Sequence, residues 1–241
     1  MITSKQFRWM EVENYSEMSR VAASIFEQQL VKKPESVLGL ATGGSPIGFY
    51  ESLVDRFKKG GFSFQEAQSF NLDEYVGIAH DNPTSYHSYM AENLFSHIDL
   101  PEANRHLPNG LAHNLEDECA AYEQKIKQSG GIDLQLLGIG VNGHIGFNEP
   151  GTSFQSSTHV VELAEETREE NAKYFDSKEQ VPTQAITMGI KTIMQAKQIV
   201  LLAFGEHKSE AIKRLRLEGI SEDFPASILN EHAHVTVIYG K

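Results

Sequence analysis

Polar side chains that could transfer protons stand in one glycine-rich stretch, LLGIGVNGHIGFNEPG, at residues 136–151. An imidazole can carry a proton between two oxygen atoms at neutral pH, which makes His144 a candidate for proton transfer. Asn142 or Glu149 could hold its ring and fix its tautomer. The alternative is a loop histidine whose ring is satisfied by backbone groups. So many polar side chains in a loop that follows a strand favour a site.

Two adjacent acids follow another apolar segment, in FNLDEYVGI at residues 70–78. A carboxylate at the end of a strand can be a general base, especially where partial burial brings its pKa towards the working pH. The side chains of consecutive residues diverge, so we expect at most one of Asp73 and Glu74 to face a substrate. Taken alone, the pair is more typical of a solvated loop or a helix cap.

A glycine-rich turn leads from a strand into a helix in GLATGGSPIGFYESL, residues 39–53. Backbone N–H groups at a helix start, with glycines that allow close approach, form an anion site suited to a phosphate. The stretch lacks the Lys-Ser/Thr of a P-loop and the spacing of a dinucleotide fingerprint, which argues against nucleotides. A tight turn with an ordinary cap is the alternative. The candidate phosphate ligands here are Thr42, Gly43, Gly44 and Ser45.

A lysine stands at a second strand-to-helix turn, in AFGEHKSEAIKRL at residues 203–215. Lys208 in the first turn of a helix is unfavourable beside the positive end of the helix dipole unless an anion joins both. We therefore predict that Lys208 contacts the phosphate, the alternative being a solvated surface lysine. His232 and His234 in NEHAH share a strand face, but an isolated pair of this kind is weak, and we expect no metal site.

Short apolar segments alternate with helical patterns along the chain. An apolar stripe at helical spacing crosses residues 47–57, and Asn114 is suited to cap a helix that carries Cys119. Asn82 with Pro83 is suited to begin another helix. The alternation predicts an α/β, Rossmann-like fold: a doubly wound, mostly parallel sheet with helices on both faces and a site beyond the carboxyl ends of the strands. The predicted strands span residues 36–41, 69–72, 134–139, 198–204 and 234–239.

Composition narrows the class of protein. The 241 residues are 40% hydrophobic and 22% charged, which suits one globular domain. The net charge of −12 opposes binding to nucleic acid or to an anionic membrane, so an anionic substrate must meet local positive groups. The single cysteine, Cys119, falls among apolar residues at helical spacing and suits a helix core in a reducing compartment. Neither a membrane span nor a secretory signal is expected, so we predict a cytoplasmic protein.

The order and spacing of TGGSP, NLDEYVGI, GIGVNGHIGFNEPG and FGEHK resemble the glucosamine-6-phosphate deaminase (isomerase) family over almost the whole chain. The related 6-phosphogluconolactonases look similar in fold but continue differently after the Gly-His pair. The resemblance implies a single sugar-phosphate isomerase/deaminase domain over residues 1–241. It also implies conversion of glucosamine 6-phosphate and water to fructose 6-phosphate and ammonia, without an organic cofactor.

The resemblance also assigns roles to residues. It implies that Asp73 is the base that moves a proton between C2 and C1 of the opened sugar. It implies that His144 is the proton shuttle of ring opening, with Glu149 and Asn142 as its supporting partners. The phosphate ligands that it implies are Thr42, Gly43, Gly44, Ser45, Lys173 and Lys208.

Three positions depart from the family pattern. Asn142 stands where many longer members have aspartate, so it can orient His144 but cannot stabilise a charged imidazole electrostatically. Lys173 stands where arginine is commoner, and a lysine lacks the planar bidentate grip on a phosphate. His159 replaces a basic arginine at the positions that resemble the effector pocket, and the chain stops soon after HVTVIYGK. We hypothesise a monomer that N-acetylglucosamine 6-phosphate does not activate.

Two other functions remain open at this point. One is a related sugar-phosphate isomerase or a lactonase on the same scaffold. The other is a non-catalytic sugar-phosphate sensor, since effector domains of some transcriptional regulators resemble this fold. No helix-turn-helix pattern is apparent and the net charge is acidic, which argues against DNA binding.

Overall fold

The computed structural model describes residues 6–241, and a parallel sheet forms its centre. Seven strands run side by side in the order β1-β10-β9-β6-β2-β3-β5, and every neighbouring pair is parallel. The doubly wound parallel sheet predicted from the sequence is confirmed. In chain order, the strands are β1 Gln6–Glu11, β2 Val37–Leu40, β3 Gln68–Asn71, β4 Asp73–Tyr75, β5 Arg105–His106, β6 Leu134–Gly138, β7 His159–Glu162, β8 Gln184–Thr187, β9 Gln198–Phe204 and β10 His234–Gly240.

Helices surround the sheet and bury their apolar faces against it. The strands β2, β6 and β9 contribute almost continuous buried runs to this core, as expected of strands covered on both faces. The aromatic contact between Phe26 and Phe49, at 4.8 Å between ring centroids, joins the first two helices. The helices are α1 Tyr15–Lys32, α2 Ile47–Lys59, α3 Tyr86–Asn93, α4 Leu115–Gln128, α5 Glu165–Asn171, α6 Ile190–Met194 and α7 Ser209–Leu217.

The helix starts agree only partly with the predictions. Asn114 caps α4 as predicted, since its side chain accepts hydrogen bonds from the N–H groups of Glu116 and Asp117. The predicted start at Asn82 and Pro83 is wrong. The side chain of Asn82 accepts from Thr84 in a local turn, and α3 begins later, where Ser85 is the N-cap. Asn82 and Pro83 therefore belong to an Asx turn that precedes the helix, and not to the start of the helix itself.

The sheet has a topological switch point between β2 and β6. From β2 the chain proceeds to β3 on one side, and from β6 it proceeds to β9 on the other. The loops that leave β2 and β6 therefore diverge and open a crevice at the carboxyl ends of these strands. Ligands of open α/β sheets bind in such a crevice. The two stretches at residues 41–46 and 139–151 border it.

A small second sheet lies beside the crevice and was not predicted from the sequence. Its strands β4, β8 and β7 pair antiparallel. Tyr75, Phe147, Leu163 and Ala185 pack beneath it in a hydrophobic cluster of their own. The strand β4 has only three residues, starting at Asp73, which is too short for periodicity to reveal. This sheet fixes the direction of the Asp73 side chain.

Two expectations concern the exterior of the fold. Within residues 6–241, no helix is long and apolar enough to cross a membrane. The stretch in which we expect no secretory signal begins with residues 1–5, which lie outside the described residues.

Candidate active site

A cleft of about 580 Å³ opens at the switch point of the sheet. The loops that follow β2, β3, β6 and β9 line it, and the segment from α5 to Tyr174 covers one side. Polar and aromatic groups therefore converge from segments far apart in sequence. The lining residues include Tyr15, Thr42, Gly43, Gly44, Ser45, Asp73, Tyr86, His144, Thr167, Lys173, Tyr174, Phe204, His207 and Lys208.

Asp73 presents its carboxyl group to the floor of this cleft. The residue is only 6% exposed, because β4 pairs with β8 and Asp73 lies opposite Thr187. Burial, reinforced by the negative charge of Glu74, raises the pKa of Asp73 to about 8, although a hydrogen bond with Thr42 acts in the opposite direction. A buried carboxyl group with a pKa near the working pH is suited to accept and return a proton.

Glu74 points away from the cleft and binds backbone N–H groups at the start of α3. Its carboxylate is fully buried and accepts hydrogen bonds from the backbone N–H groups of Tyr86 and His87, both at 3.0 Å. The ring Nδ1 of His87 lies 2.8 Å from the same carboxylate. These contacts satisfy the first turn of α3 and place negative charge at the positive end of its dipole. Only one of the two adjacent acids therefore faces the cleft.

His144 is oriented by a chain of two side chains. The Nδ2 of Asn142 donates to Oε2 of Glu149 at 2.8 Å, and Oδ1 of Asn142 lies 2.8 Å from Nδ1 of His144. Because an ionised carboxylate only accepts, the amide of Asn142 must turn its oxygen towards His144. That oxygen requires a hydrogen on Nδ1, which leaves Nε2 of His144 available for proton exchange.

Glu149 is held ionised at the far end of this chain. Burial alone would raise its pKa, but contacts with His144, Thr167 and Asn142 outweigh burial and lower the pKa of Glu149 to about 2. The Thr167 hydroxyl, on α5, donates to Oε1 of Glu149. The helix that covers the cleft is thereby tied to the loop that carries His144.

Gly140 makes room for the imidazole of His144. A Cβ atom at position 140 would lie 2.2 Å from Nδ1 of His144, well inside contact distance. The glycine-rich character of this loop therefore has a steric purpose at Gly140, since the ring folds back over the backbone that precedes it.

The predicted phosphate ligands all line the cleft. The loop of Thr42, Gly43, Gly44 and Ser45 lines it just before α2, whose N-cap is Pro46. Lys208 is the last residue of a 3-10 turn, Glu206–Lys208, and the N-cap residue of α7, so it lies just before the first helical turn in which it was expected. Lys173 lies on the 3-10 turn Ala172–Tyr174, where its Nζ is 4.9 Å from the ring centroid of Tyr174.

Several aromatic and polar lining residues were not found by sequence reasoning. Tyr15 belongs to the first turn of α1, Tyr86 to the start of α3, and Thr167 to α5. None stands in a glycine-rich turn or directly after one of the predicted strands. Their side chains reach the cleft through packing of helices, for which a single sequence has no local signal.

Other groups of possible chemical interest have structural surroundings. Both ring nitrogens of His232 lie near backbone carbonyls, Nε2 at 2.7 Å from Ala196 O. Burial raises the pKa of the Cys119 thiol to about 11, so that thiol is a poor nucleophile at neutral pH. Within residues 6–241, no three His, Cys, Asp or Glu side chains are grouped to hold a metal ion.

Comparisons with known proteins agree with this geometry. The family described as glucosamine-6-phosphate isomerases/6-phosphogluconolactonase matches residues 12–238. A glucosamine-6-phosphate deaminase of Lysinibacillus sphaericus is 60% identical over 97% of this chain and 98% of its own length. One from Shouchella clausii is 57% identical over 95% of this chain and 93% of its own length.

Solved structures give the same result. A structure described as a monomeric glucosamine-6-phosphate deaminase matches with a TM-score of 0.95 and 51% identity, covering 97% of each chain. The 6-phosphogluconolactonase of Thermotoga maritima matches with a TM-score of 0.78 at 19% identity, covering 98% of this chain and 100% of its own, and shares the fold. The protein therefore belongs to the family of glucosamine-6-phosphate isomerases and 6-phosphogluconolactonases.

Proposed function

We propose that the protein is a glucosamine-6-phosphate deaminase, which converts glucosamine 6-phosphate and water to fructose 6-phosphate and ammonia. The observation that carries this proposal is that one cleft holds a buried carboxyl group, an oriented histidine and a glycine-rich loop at a helix start. Relatives of this name at 51% to 60% identity support it.

The first step is opening of the sugar ring, which we assign to His144. Nε2 of His144 takes the proton from the C1 hydroxyl and returns it to the ring oxygen, giving the open aldehyde. The fixed Nδ1–H tautomer supports this role, because it leaves one defined nitrogen for the transfer. Glu149 and Asn142 serve as supporting partners that hold the ring in place.

The second step is a proton transfer between neighbouring carbons, which we assign to Asp73. Its carboxylate removes the proton from C2 while one proton of the substrate's ammonium group passes to the C1 oxygen, which gives an enolamine. The carboxyl group then returns its proton to C1, which gives a protonated C2 imine. Water then adds to the imine carbon, and ammonia leaves as the C2 ketone forms. Confinement in a buried site keeps the carboxyl group close to both carbons and limits exchange with solvent.

The phosphate group binds far from the reacting carbons in this proposal. The loop at residues 42–45 offers backbone N–H groups and hydroxyls, while Lys208 and Lys173 supply positive charge in a protein of net charge −12. Binding energy at the phosphate end orients C1 and C2 against the base.

We propose that the partner of this protein is a small amino-sugar phosphate. We also propose that the protein is a cytoplasmic monomer, with a single domain over residues 1–241. The structure described as a monomeric deaminase supports the oligomeric state. Light scattering that gives a mass near 26.9 kDa would agree with a monomer, whereas a hexameric mass would contradict it.

We also propose that N-acetylglucosamine 6-phosphate does not activate the enzyme. The curve of rate against substrate concentration should therefore be hyperbolic, and it should not change when N-acetylglucosamine 6-phosphate is added.

Ammonia release from glucosamine 6-phosphate tests the main proposal. We expect the purified protein to form ammonia and fructose 6-phosphate in equal amounts, with no metal or nucleotide added. Unphosphorylated glucosamine is the matched substrate control and should react poorly. If neither product forms while the sugar phosphate raises the melting temperature, the proposal is overturned in favour of a sensor.

A further inference from the structure

The hydroxyl of Tyr15 contacts the glycine-rich loop at three backbone atoms. It lies 3.2 Å from Gly44 O and 3.0 Å from Ser45 O, to which it donates a shared hydrogen bond. It also accepts a hydrogen bond of 2.9 Å from the N–H of Gly48, in the first turn of α2. Both the donor and the acceptor capacity of this hydroxyl are therefore used on one turn.

A second tyrosine contacts the same loop from another helix. The hydroxyl of Tyr89, on α3, donates to Gly43 O at 2.7 Å. The loop at residues 43–45 thus has its successive carbonyl oxygens bound from α1 by Tyr15 and from α3 by Tyr89.

The geometry of the peptide group links each of these carbonyl contacts to the direction of the N–H group that follows. In a trans peptide group, the carbonyl of one residue and the N–H of the next point in opposite directions. A hydroxyl that binds Gly43 O therefore sets the direction of the Gly44 N–H, and one that binds Gly44 O sets that of the Ser45 N–H. The third carbonyl, of Ser45, precedes Pro46, which has no N–H, so that contact fixes only the start of α2.

We propose that Tyr15 and Tyr89 are positioning residues that hold the N–H groups of Gly44 and Ser45 towards the phosphate of the substrate. This inference rests on the proposed function, because it needs a phosphate at this end of the cleft. Each tyrosine binds the carbonyl side of a peptide group, and the opposite side of that group is turned to the anion. Amides that are aligned before binding need no reorientation when the phosphate arrives.

The fit of Tyr15 depends on a glycine in the helix that it contacts. A Cβ atom at Gly48 would lie 2.6 Å from Ser19 Oγ and 2.7 Å from Cε1 of Tyr15. Gly48 is helical and has no positive φ, so the absence of a side chain here serves close approach. Gly48→Ala, a change that favours a helix in isolation, should push the Tyr15 ring away from the loop.

Tyr15→Phe and Tyr89→Phe test the inference directly. Both variants keep the ring and remove only the hydroxyl. We expect each to raise the KM for glucosamine 6-phosphate and the Kd for inorganic phosphate by about two- to tenfold, with kcat nearly unchanged. Phosphate binding is measured by calorimetry on the purified full chain. Tyr239→Phe is the matched control, since its hydroxyl contacts Glu11 at 3.2 Å and the residue does not line the cleft.

The outcomes separate this inference from the proposed function. If the wild-type protein releases ammonia and both tyrosine variants bind phosphate normally, the positioning role is overturned. A lower melting temperature with unchanged KM and Kd would also overturn it, since the hydroxyls would then be merely structural. If the wild-type protein releases no ammonia, yet both variants weaken phosphate binding, the inference stands and the proposed reaction fails. Gly48→Ala should reproduce the loss seen with Tyr15→Phe.

Discussion

Asp73 and Glu74 are adjacent on strand β4, and their carboxyl groups face different surroundings. Asp73 lines the cleft, whereas Glu74 accepts the N–H groups of Tyr86 and His87 at the start of α3. The charge of Glu74 is satisfied by a helix terminus, and this same charge raises the pKa of its neighbour. One acid therefore stabilises the start of a helix and helps to raise the pKa of the other.

The pH dependence of turnover should reflect Asp73. Because its pKa is about 8 and only the carboxylate can remove a proton from carbon, kcat/KM should fall by about tenfold per pH unit well below that value. Ammonia release measured across the pH range gives the profile. A level profile from about pH 6 to about pH 9 would contradict the assignment of Asp73 as the base.

Asp73→Asn should nearly abolish turnover and leave substrate affinity within a few-fold, because the carboxylate acts mainly in the transition state. Turnover and equilibrium binding of glucosamine 6-phosphate are the two measurements. Near-normal turnover would remove Asp73 from the mechanism.

The same variant should stabilise the fold at alkaline pH. Folding raises the pKa of Asp73, so between about pH 4 and about pH 8 the folded state keeps a proton that the unfolded chain releases. The free energy of unfolding therefore decreases as the pH rises through this range. Asparagine has no such penalty, so the melting temperature of the variant should exceed that of the wild type by a margin that grows up to pH 8. A constant margin would contradict the raised pKa.

Glu74→Gln should move the acid limb of the activity profile to lower pH. Removal of the neighbouring negative charge lowers the pKa of Asp73, although burial still holds it above its ordinary value. The variant should also melt at a lower temperature, because a neutral amide is a weaker cap for α3. An unmoved acid limb in the folded variant would mean that burial alone sets the pKa of Asp73.

Lys208→Ala should chiefly raise the KM for glucosamine 6-phosphate, by about tenfold, because a charged contact to the phosphate is lost. Lys213→Ala is the matched control: Lys213 lies five residues further along, faces a pocket beside the cleft and pairs with Glu210 at 3.6 Å. Steady-state kinetics of both variants decide the point. Equal KM values for the two variants would contradict a contact between Lys208 and the phosphate.

Asn142→Ala should lower kcat by about tenfold or more and change KM little, because His144 loses the group that fixes its tautomer. The pH profile of kcat/KM is a second measurement, and we expect its shape to change when Asn142 no longer fixes the tautomer of His144. A kcat equal to that of the wild type would show that Glu149, whose carboxylate lies 3.6 Å from Nδ1 of His144, orients the ring unaided.

The amino-acid sequence determined the main sheet and the loops beside the cleft. The apolar runs that became β2, β6 and β9 are almost completely buried, and β10 is buried at alternate positions; apolar runs bounded by turn residues are visible in a single sequence. The polar residues of the loops after β2 and β6 were identified because glycines and polar side chains at the ends of strands are a local signal. His144 and the turn at residues 42–45 were found in this way.

Only the tertiary structure decided which side chains share the cleft and how each is charged. The raised pKa of Asp73 depends on burial by the small antiparallel sheet, whose short strands lack a readable period. Tyr15 and Tyr89 reach the loop from helices distant in sequence, through contacts that leave no trace in local pattern. The residue types were present in the sequence, but their directions came from packing, because orientation and desolvation belong to the folded chain as a whole.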